Sequence, residues 1–509
     1  MNQDVQRVIA EFSSSDTTSE AVKALHDNAR SMPDKMAVLD SRVSLTWREL
    51  EREVTSLAEE LRALNVGSGS PVLLMLDSCV EAIVAYWAVR ELDAIVVIAD
   101  PGCTRSEFDH FVGATQPGWV FATRPGTMER LQLPEKSDPG HPSMVWFLQD
   151  HDVVDASIRP WLSSVRHGAP RQDRFAQARE ARVVLFSSGT TGQPKTILHT
   201  DSSVLALHRV HSQVWNLTAN DVVLGCLPFH SIYGAIYTAA SAIYNGATLA
   251  LMERFKPAIA LQRIQEWCVT TAAMVPAMLV MMLNLEGRDQ FDRSTLRAIY
   301  TGGAPVSDLV MEDFEEFAGA PVLATYGLTE CPGAAVEPAG SAHRRGVAGR
   351  ICPGFEAVAR DASGRELPSG EIGEITLRGP SSMLGYLGQP ELTSHRIREG
   401  WVYTQDIGYV DSNGDIYVSG RDGDMIIRGG LNIAPKEVED VLGSHPSVVT
   451  AAVVGVADAV FGQLVKAYVV PRGETDLAIL AEDLRQHCLK HLSRAKVPEN
   501  IVFVPELPM

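Results

Sequence analysis

The chain has 509 residues, 45% of them hydrophobic and 21% charged, a balance that excludes a disordered, collagen-like or coiled-coil protein and allows about three domains at roughly 150 residues each. Lys and Arg number 44 against 63 Asp and Glu, and the formal net charge of −19 disfavours phosphate backbones and anionic lipid, so neither nucleic acid nor membrane is expected as a partner. Seven cysteines, odd in number, far apart and without a pair at metal-ligand spacing, fit a reducing compartment, and a cytoplasmic enzyme is the expectation.

The opening MNQDVQRVIAEFSSSD has no basic head followed by an apolar stretch, so no secretory signal is read there and the mature chain is expected to begin with it. Thr46 and Glu49 make a capping box ahead of Leu50, Val54, Leu57, Ala58 and Leu61, which recur at helical spacing until Gly67. An apolar run at 72–76, a helical stretch at 81–90 and the β-branched run at 95–98 follow. Strand alternating with helix predicts an α/β fold with largely parallel strands. Between residues 124 and 179 the pattern loosens around Pro134, Pro139, Gly140 and Pro142, which predicts a loop-rich connection. Residues 224–252 carry no charge and are long enough for a membrane span, yet Pro228, His230, Asn245 and Gly246 interrupt them, so a buried core segment is expected. Near Gly420 the texture changes. Short strands at 452–456 and 466–470 precede an amphipathic helix on Leu477, Leu480, Ala481, Leu484 and Cys488, and a strand at 501–504 closes a small α+β domain.

The strongest local signal is SSGTTGQPK at 187–195, directly after the apolar strand at 183–186. Ser187, Ser188, Gly189, Thr190 and Thr191 leave backbone N–H groups and hydroxyls free to surround phosphate oxygens, and Lys195 adds a positive charge. The spacing differs from GxxxxGK[ST], which disfavours an ordinary P-loop NTPase. The bland alternative is a Ser/Gly/Thr surface turn.

This loop resembles that of the adenylate-forming superfamily, which includes acyl-CoA ligases, nonribosomal adenylation domains and beetle luciferases. The resemblance runs along nearly the whole chain through LPFHSIYG (227–234), TGGAP (301–305), YGLTE (326–330), YTQDIG (403–408), SGRDGDMI (419–426) and GGLNIAPKEVE (429–439). It implies a large N-terminal adenylate-forming domain at 1–420 and a small mobile α+β lid at 424–509 that turns about a hinge at Gly423. The implied activity is that of an acid–thiol ligase, which converts a carboxylic acid to an acyl-adenylate with ATP and then to a thioester with coenzyme A. By the same resemblance Thr329 donates to the α-phosphate and Glu330 holds Mg²⁺. Tyr326 offers its face to adenine beside Gly303 and Ala304, while Asp406 and Arg421 bind the ribose. His230, Gly302 and Gly327 border the acyl pocket, with the small residues leaving room for a bulky acyl group. Arg428, Gly429 and Gly430 line the thiol route, the two glycines joining Thr329 and Glu330 as catalytic positions. His230 stands where amino-acid-activating members carry an aspartate, which disfavours an α-amino acid; a satisfied core histidine is the alternative.

The sequence also departs from the family pattern. Lys496-Val497-Pro498 and Leu507-Pro508 match the segments that precede a catalytic lysine, and Met509 follows. Lys490 and Lys496 lie before that motif and are not assigned its role. Loss of one such preorganised cation lowers a rate by about 10²- to 10³-fold. Gln405 and Thr196 replace glycines, and Gly423 replaces the usual Asp or Lys. The expectation is a ligase impaired in adenylation that mainly thioesterifies an adenylate supplied by a second ligase. The alternatives are a complete two-step ligase, a carrier protein in place of coenzyme A, and a non-catalytic adenylate-binding protein.

Overall fold

In front of the helix Trp47–Ala63, the Glu49 carboxylate accepts the Thr46 N–H at 2.8 Å and the Thr46 hydroxyl oxygen accepts the Glu49 N–H at 3.4 Å, so the expected capping box closes. The computed structural model describes residues 17–122, 143–146, 174–176, 178–187, 194–421, 423, 426–428, 431–458, 462–473 and 476–507. Leu50, Val54, Leu57, Ala58 and Leu61 are all buried on one face of this helix, as their spacing requires.

Among the described residues the strands form four sheets. In one, Ser143–Trp146, Trp119–Ala122, Pro71–Met75, Ile95–Ile98 and Ala181–Ser187 run parallel, and Lys195–Thr200 and Gly385–Tyr386 add an antiparallel edge. In the second, the parallel strands Met36–Leu39, Thr248–Leu251, Val222–Gly225, Thr271–Met274, Ala298–Gly302 and Val322–Leu328 are flanked by antiparallel Ser44–Thr46 and Cys331–Val336. Side chains alternate across a strand, so Val72, Leu74, Val96 and Ile98 join a core shared with the second sheet, whereas Leu73, Met75 and Val97 pack with Phe108 and Phe111 on the outer face. The helix Val80–Glu91 is buried almost all round within the shared core. That explains its lack of a polar stripe.

The third sheet is antiparallel, with Asp415–Arg421, Trp401–Val410 and Gly373–Arg378 side by side and Glu356–Arg360 at one edge. The α/β expectation from the first hundred residues did not foresee it. The fourth sheet begins at Ile426–Arg428 and contains the hairpin Val448–Asp458 and Gly462–Pro471, longer than its two expected strands. Asn500–Phe503 joins it in parallel, and Leu480, Leu484 and Cys488 of the helix Leu477–His491 cover it, giving residues 426–503 a core of their own.

Most of residues 224–252 belong to the shared core, in the strands Val222–Gly225 and Thr248–Leu251 and a helical stretch that includes the π-helical Tyr233–Ala240, while the loop around Pro228 and His230 reaches the surface. Among the described residues no helix is long and apolar enough to cross a membrane. Within 124–179, Ser143–Trp146 is a parallel strand; most of that segment lies outside the described residues.

Candidate active site

Parallel α/β sheets present their ligand sites at the carboxyl ends of the strands. Here Ala298–Gly302 and Val322–Leu328 end side by side, with Gly302 opposite Thr325 in register. A Cβ at Gly302 would run into the Thr325 hydroxyl and backbone carbonyl, and one at Gly327 would lie 2.9 Å from the Gly333 nitrogen. Both positions therefore need glycine for close backbone packing, whatever room they leave for an acyl group. Gly303 takes φ +79°, and a Cβ there would meet Val275 and the Tyr233 ring at 3.7 and 3.8 Å. Ala304 is exposed beside it. His230, three residues before Tyr233, is 36% exposed and stands 3.7 Å from Asp100, so it is not a satisfied core histidine.

On the other side of the strand ends, Tyr326, Asp406 and Arg421 meet. The Tyr326 hydroxyl donates to Asp406 Oδ2 at 2.7 Å and Arg421 Nε donates to Oδ1 at 2.9 Å. Arg421 reaches Asp406 because the two face each other across neighbouring strands. Burial, reinforced by the Asp406 charge, pushes the Tyr326 phenol well up, so it remains a donor. Gln405, just before Asp406, holds φ +65°, a conformation that glycine adopts freely and that costs other residues roughly 1–2 kcal/mol. The glycine expected there has this conformational reason.

Thr329 and Glu330 are braced on several sides. Burial lowers His199 to about 4, so its imidazole is neutral. Its Nε2–H then donates to the Thr329 carbonyl at 2.8 Å while Nδ1 lies 3.2 Å from the Ser203 hydroxyl. The Glu330 carbonyl accepts the Met383 N–H at 2.8 Å. Its carboxylate accepts from the Tyr386 hydroxyl at 2.7 Å and from Arg396 at 3.1 Å. Lys195 lies 5.6 Å from the centre of the Tyr386 ring, which joins the start of the strand Lys195–Thr200 to Glu330 through Tyr386. His199, Tyr386 and Arg396 escaped the sequence reading, since Arg396 and Glu330 are 66 positions apart and no local pattern marks them as partners. Among the described residues no group of three or more His, Cys, Asp or Glu could hold a metal. Mg²⁺ at Glu330 would complete its shell with water and phosphate oxygens, a mode that suits this small, reluctantly dehydrated cation.

Ser187 ends its strand opposite Lys195; Ser188, Gly189, Thr190, Thr191, Gly429 and Gly430 lie outside the described residues. Arg428 is engaged within its own domain, donating to the Ala495 carbonyl at 2.7 Å and pairing with Glu499. Gly423 is exposed with φ +96°. Lys436 donates to the Val306 carbonyl at 3.0 Å, joining the helix Pro435–Gly443 to the loop beside Gly303.

Residues 25–387 match the family model described as AMP-binding enzyme, and residues 437–509 that of the AMP-binding enzyme C-terminal domain. The chain belongs to the AMP-binding enzyme family. It is an acid–thiol ligase of the AMP-forming acyl-CoA synthetase type. A 2-succinylbenzoate–CoA ligase of Geobacillus sp. (strain WCH70) is 31% identical over 486 residues, 94% of this chain and 92% of the relative. The ATP-bound MatB from Rhodopseudomonas palustris superposes with a TM-score of 0.83 at 25% identity, covering 96% of this chain and 95% of that one. The anthranilate CoA ligase AuaEII in complex with anthranoyl-AMP reaches 0.85 at 24% identity over 96% and 94% of the two chains, a likeness of fold.

Proposed function

We propose that this enzyme joins a carboxylic acid to coenzyme A through an acyl-adenylate, and that the acid is an aromatic keto acid of the 2-succinylbenzoate kind. The observation that carries the nucleotide part is the pair of carboxylates, Asp406 held by Tyr326 and Arg421 and Glu330 held by Tyr386 and Arg396. The substrate class rests on the names of the relatives at 31% and 30% identity.

In this reading the acid's carboxylate attacks the α-phosphorus of ATP, the bond to the β-phosphate oxygen breaks, and pyrophosphate leaves. The coenzyme A thiol, losing its proton, then attacks the acyl carbon and AMP leaves as the thioester forms. Asp406 accepts from the ribose hydroxyls through its remaining lone pairs, Tyr326 and the backbone at Gly303 and Ala304 border the adenine, and Thr329 donates to the α-phosphate. Lys195 and the loop before it receive the departing phosphates. Mg²⁺ bound to Glu330 would offset negative charge on the phosphates. Between the two steps residues 424–509 turn about Gly423, whose backbone freedom suits a hinge, and bring the 428–430 segment to the adenylate.

The expectation of slow adenylation finds no support in the comparisons, whose named relatives are ligases, and the reading requires no second ligase. The test gives the enzyme 2-succinylbenzoate, ATP, Mg²⁺ and coenzyme A in one assay, and the preformed acyl-adenylate with coenzyme A in another, and follows thioester by mass spectrometry. Comparable rates establish the complete ligase. Thioester from the adenylate alone restores the slow first step, and thioester from neither refutes the assigned substrate class.

A further inference from the structure

Glu330 is 5% exposed, and a carboxylate that deep needs a compensating partner. Both of its side-chain hydrogen bonds among the described residues end on the same oxygen, Oε1, from the Tyr386 hydroxyl at 2.7 Å and from Arg396 Nη2 at 3.1 Å. Arg396 is held in turn. Its Nη1 donates to the Tyr403 carbonyl at 2.7 Å, on the strand that carries Asp406, and its side chain is 11% exposed. Its Nε is buried with no hydrogen-bond partner among the described residues. An orphan donor on a buried guanidinium costs stability, so the best-satisfied arrangement is not what this side chain achieves. Tyr386 is fixed by pairing with Ile197 on the strand that starts at Lys195.

We propose that Arg396, with Tyr386 as second donor, is the positioning residue for the divalent cation. The two engage Oε1 of Glu330 and leave Oε2 as the oxygen for Mg²⁺ arriving with the nucleotide. The inference rests on the nucleotide site proposed above.

The test uses Mn²⁺ as a paramagnetic stand-in, titrated by its electron spin resonance signal into the full-length enzyme saturated with a non-hydrolysable ATP analogue. Metal-free AMP binding is measured separately by calorimetry. Loss of an outer-shell partner weakens metal affinity by about 10- to 100-fold, so Arg396→Met should lose about that much Mn²⁺ affinity while binding AMP within about twofold of the parent. Arg396→Lys should recover part of the loss, and Tyr386→Phe should show a smaller loss of the same kind; these two carry the comparison if the Met variant does not fold. Mn²⁺ affinity in Arg396→Met within about twofold of the parent, or Mn²⁺ and AMP affinities falling in equal proportion, would make Arg396 a purely structural residue. An unmodified enzyme that binds no AMP overturns the nucleotide-site reading itself, which separates that failure from this one.

Discussion

Removing one proton from His343 should loosen the support beneath the strand that carries Tyr326. The ring is 4% exposed, with Nδ1 3.0 Å from Glu337 Oε2 and Nε2 3.0 Å from Asp308 Oδ1. Only the imidazolium donates from both nitrogens. Glu337 also takes the Ala324 N–H at 2.8 Å, on the strand of Tyr326, and Asp308 begins the helix after the 303–307 loop. Burial, the largest single influence, would lower the His343 pKa; the hydrogen bonds and charges of Asp308 and Glu337 together outweigh it and hold the ring at about 9 against an ordinary 6.5. The folded value is the higher one, so the contribution is fully present below about pH 6.5 and disappears as pH rises through about 9. A shift of that size corresponds to about 3 kcal/mol. Urea unfolding of the parent and of His343→Gln, compared at intervals from about pH 6 to about pH 10, should show a difference of that order that shrinks across the upper half of the range. A difference independent of pH, or a His343 ring resonance that titrates at its ordinary value, would refute the two-carboxylate clamp.

Gly302→Ala should destabilise by about 3 kcal/mol or more, because the new Cβ meets Thr325 backbone that the sheet cannot move; a lower melting temperature checks it. Asp415 is fully buried, and although burial would raise its carboxyl, Arg344 and Arg350 hold it down at about 2. Its stabilisation of about 2 kcal/mol is present above the ordinary carboxylate value and lost as pH falls toward about 2, so Asp415→Asn should unfold more easily than the parent at neutral pH and converge with it in strong acid. If Asp406 holds the ribose as proposed, Asp406→Ala removes two charge-assisted hydrogen bonds and should weaken AMP binding at least about tenfold by calorimetry; unchanged affinity would place the ribose elsewhere. Gln405→Gly should stabilise by about 1 kcal/mol by relieving φ +65°, read as a higher urea midpoint.

Much of the architecture is local and was therefore legible in the residues. The Thr46 capping box, the helices over 81–90 and 477–488 and the strands at 72–76 and 95–98 follow from spacings of two to four residues, and the structure has each of them within a few positions. The motifs likewise pointed to an adenylate-forming enzyme, through their resemblance to that superfamily in residue type and order. The partners of those motif residues were not legible. Arg396 and Tyr386 on Glu330, His199 beneath Thr329 and His343 between two carboxylates join chain segments up to 130 positions apart. The backbone that Gly302 and Gly327 pack against, and the Ala495 carbonyl and Glu499 carboxylate that Arg428 engages, were likewise not legible. Periodicity and turn chemistry act through bonds among near neighbours, so the sequence alone determines elements and motif order. Burial, and the pairing of charges that burial demands, exists only once distant segments pack together, and that was decided by the tertiary structure.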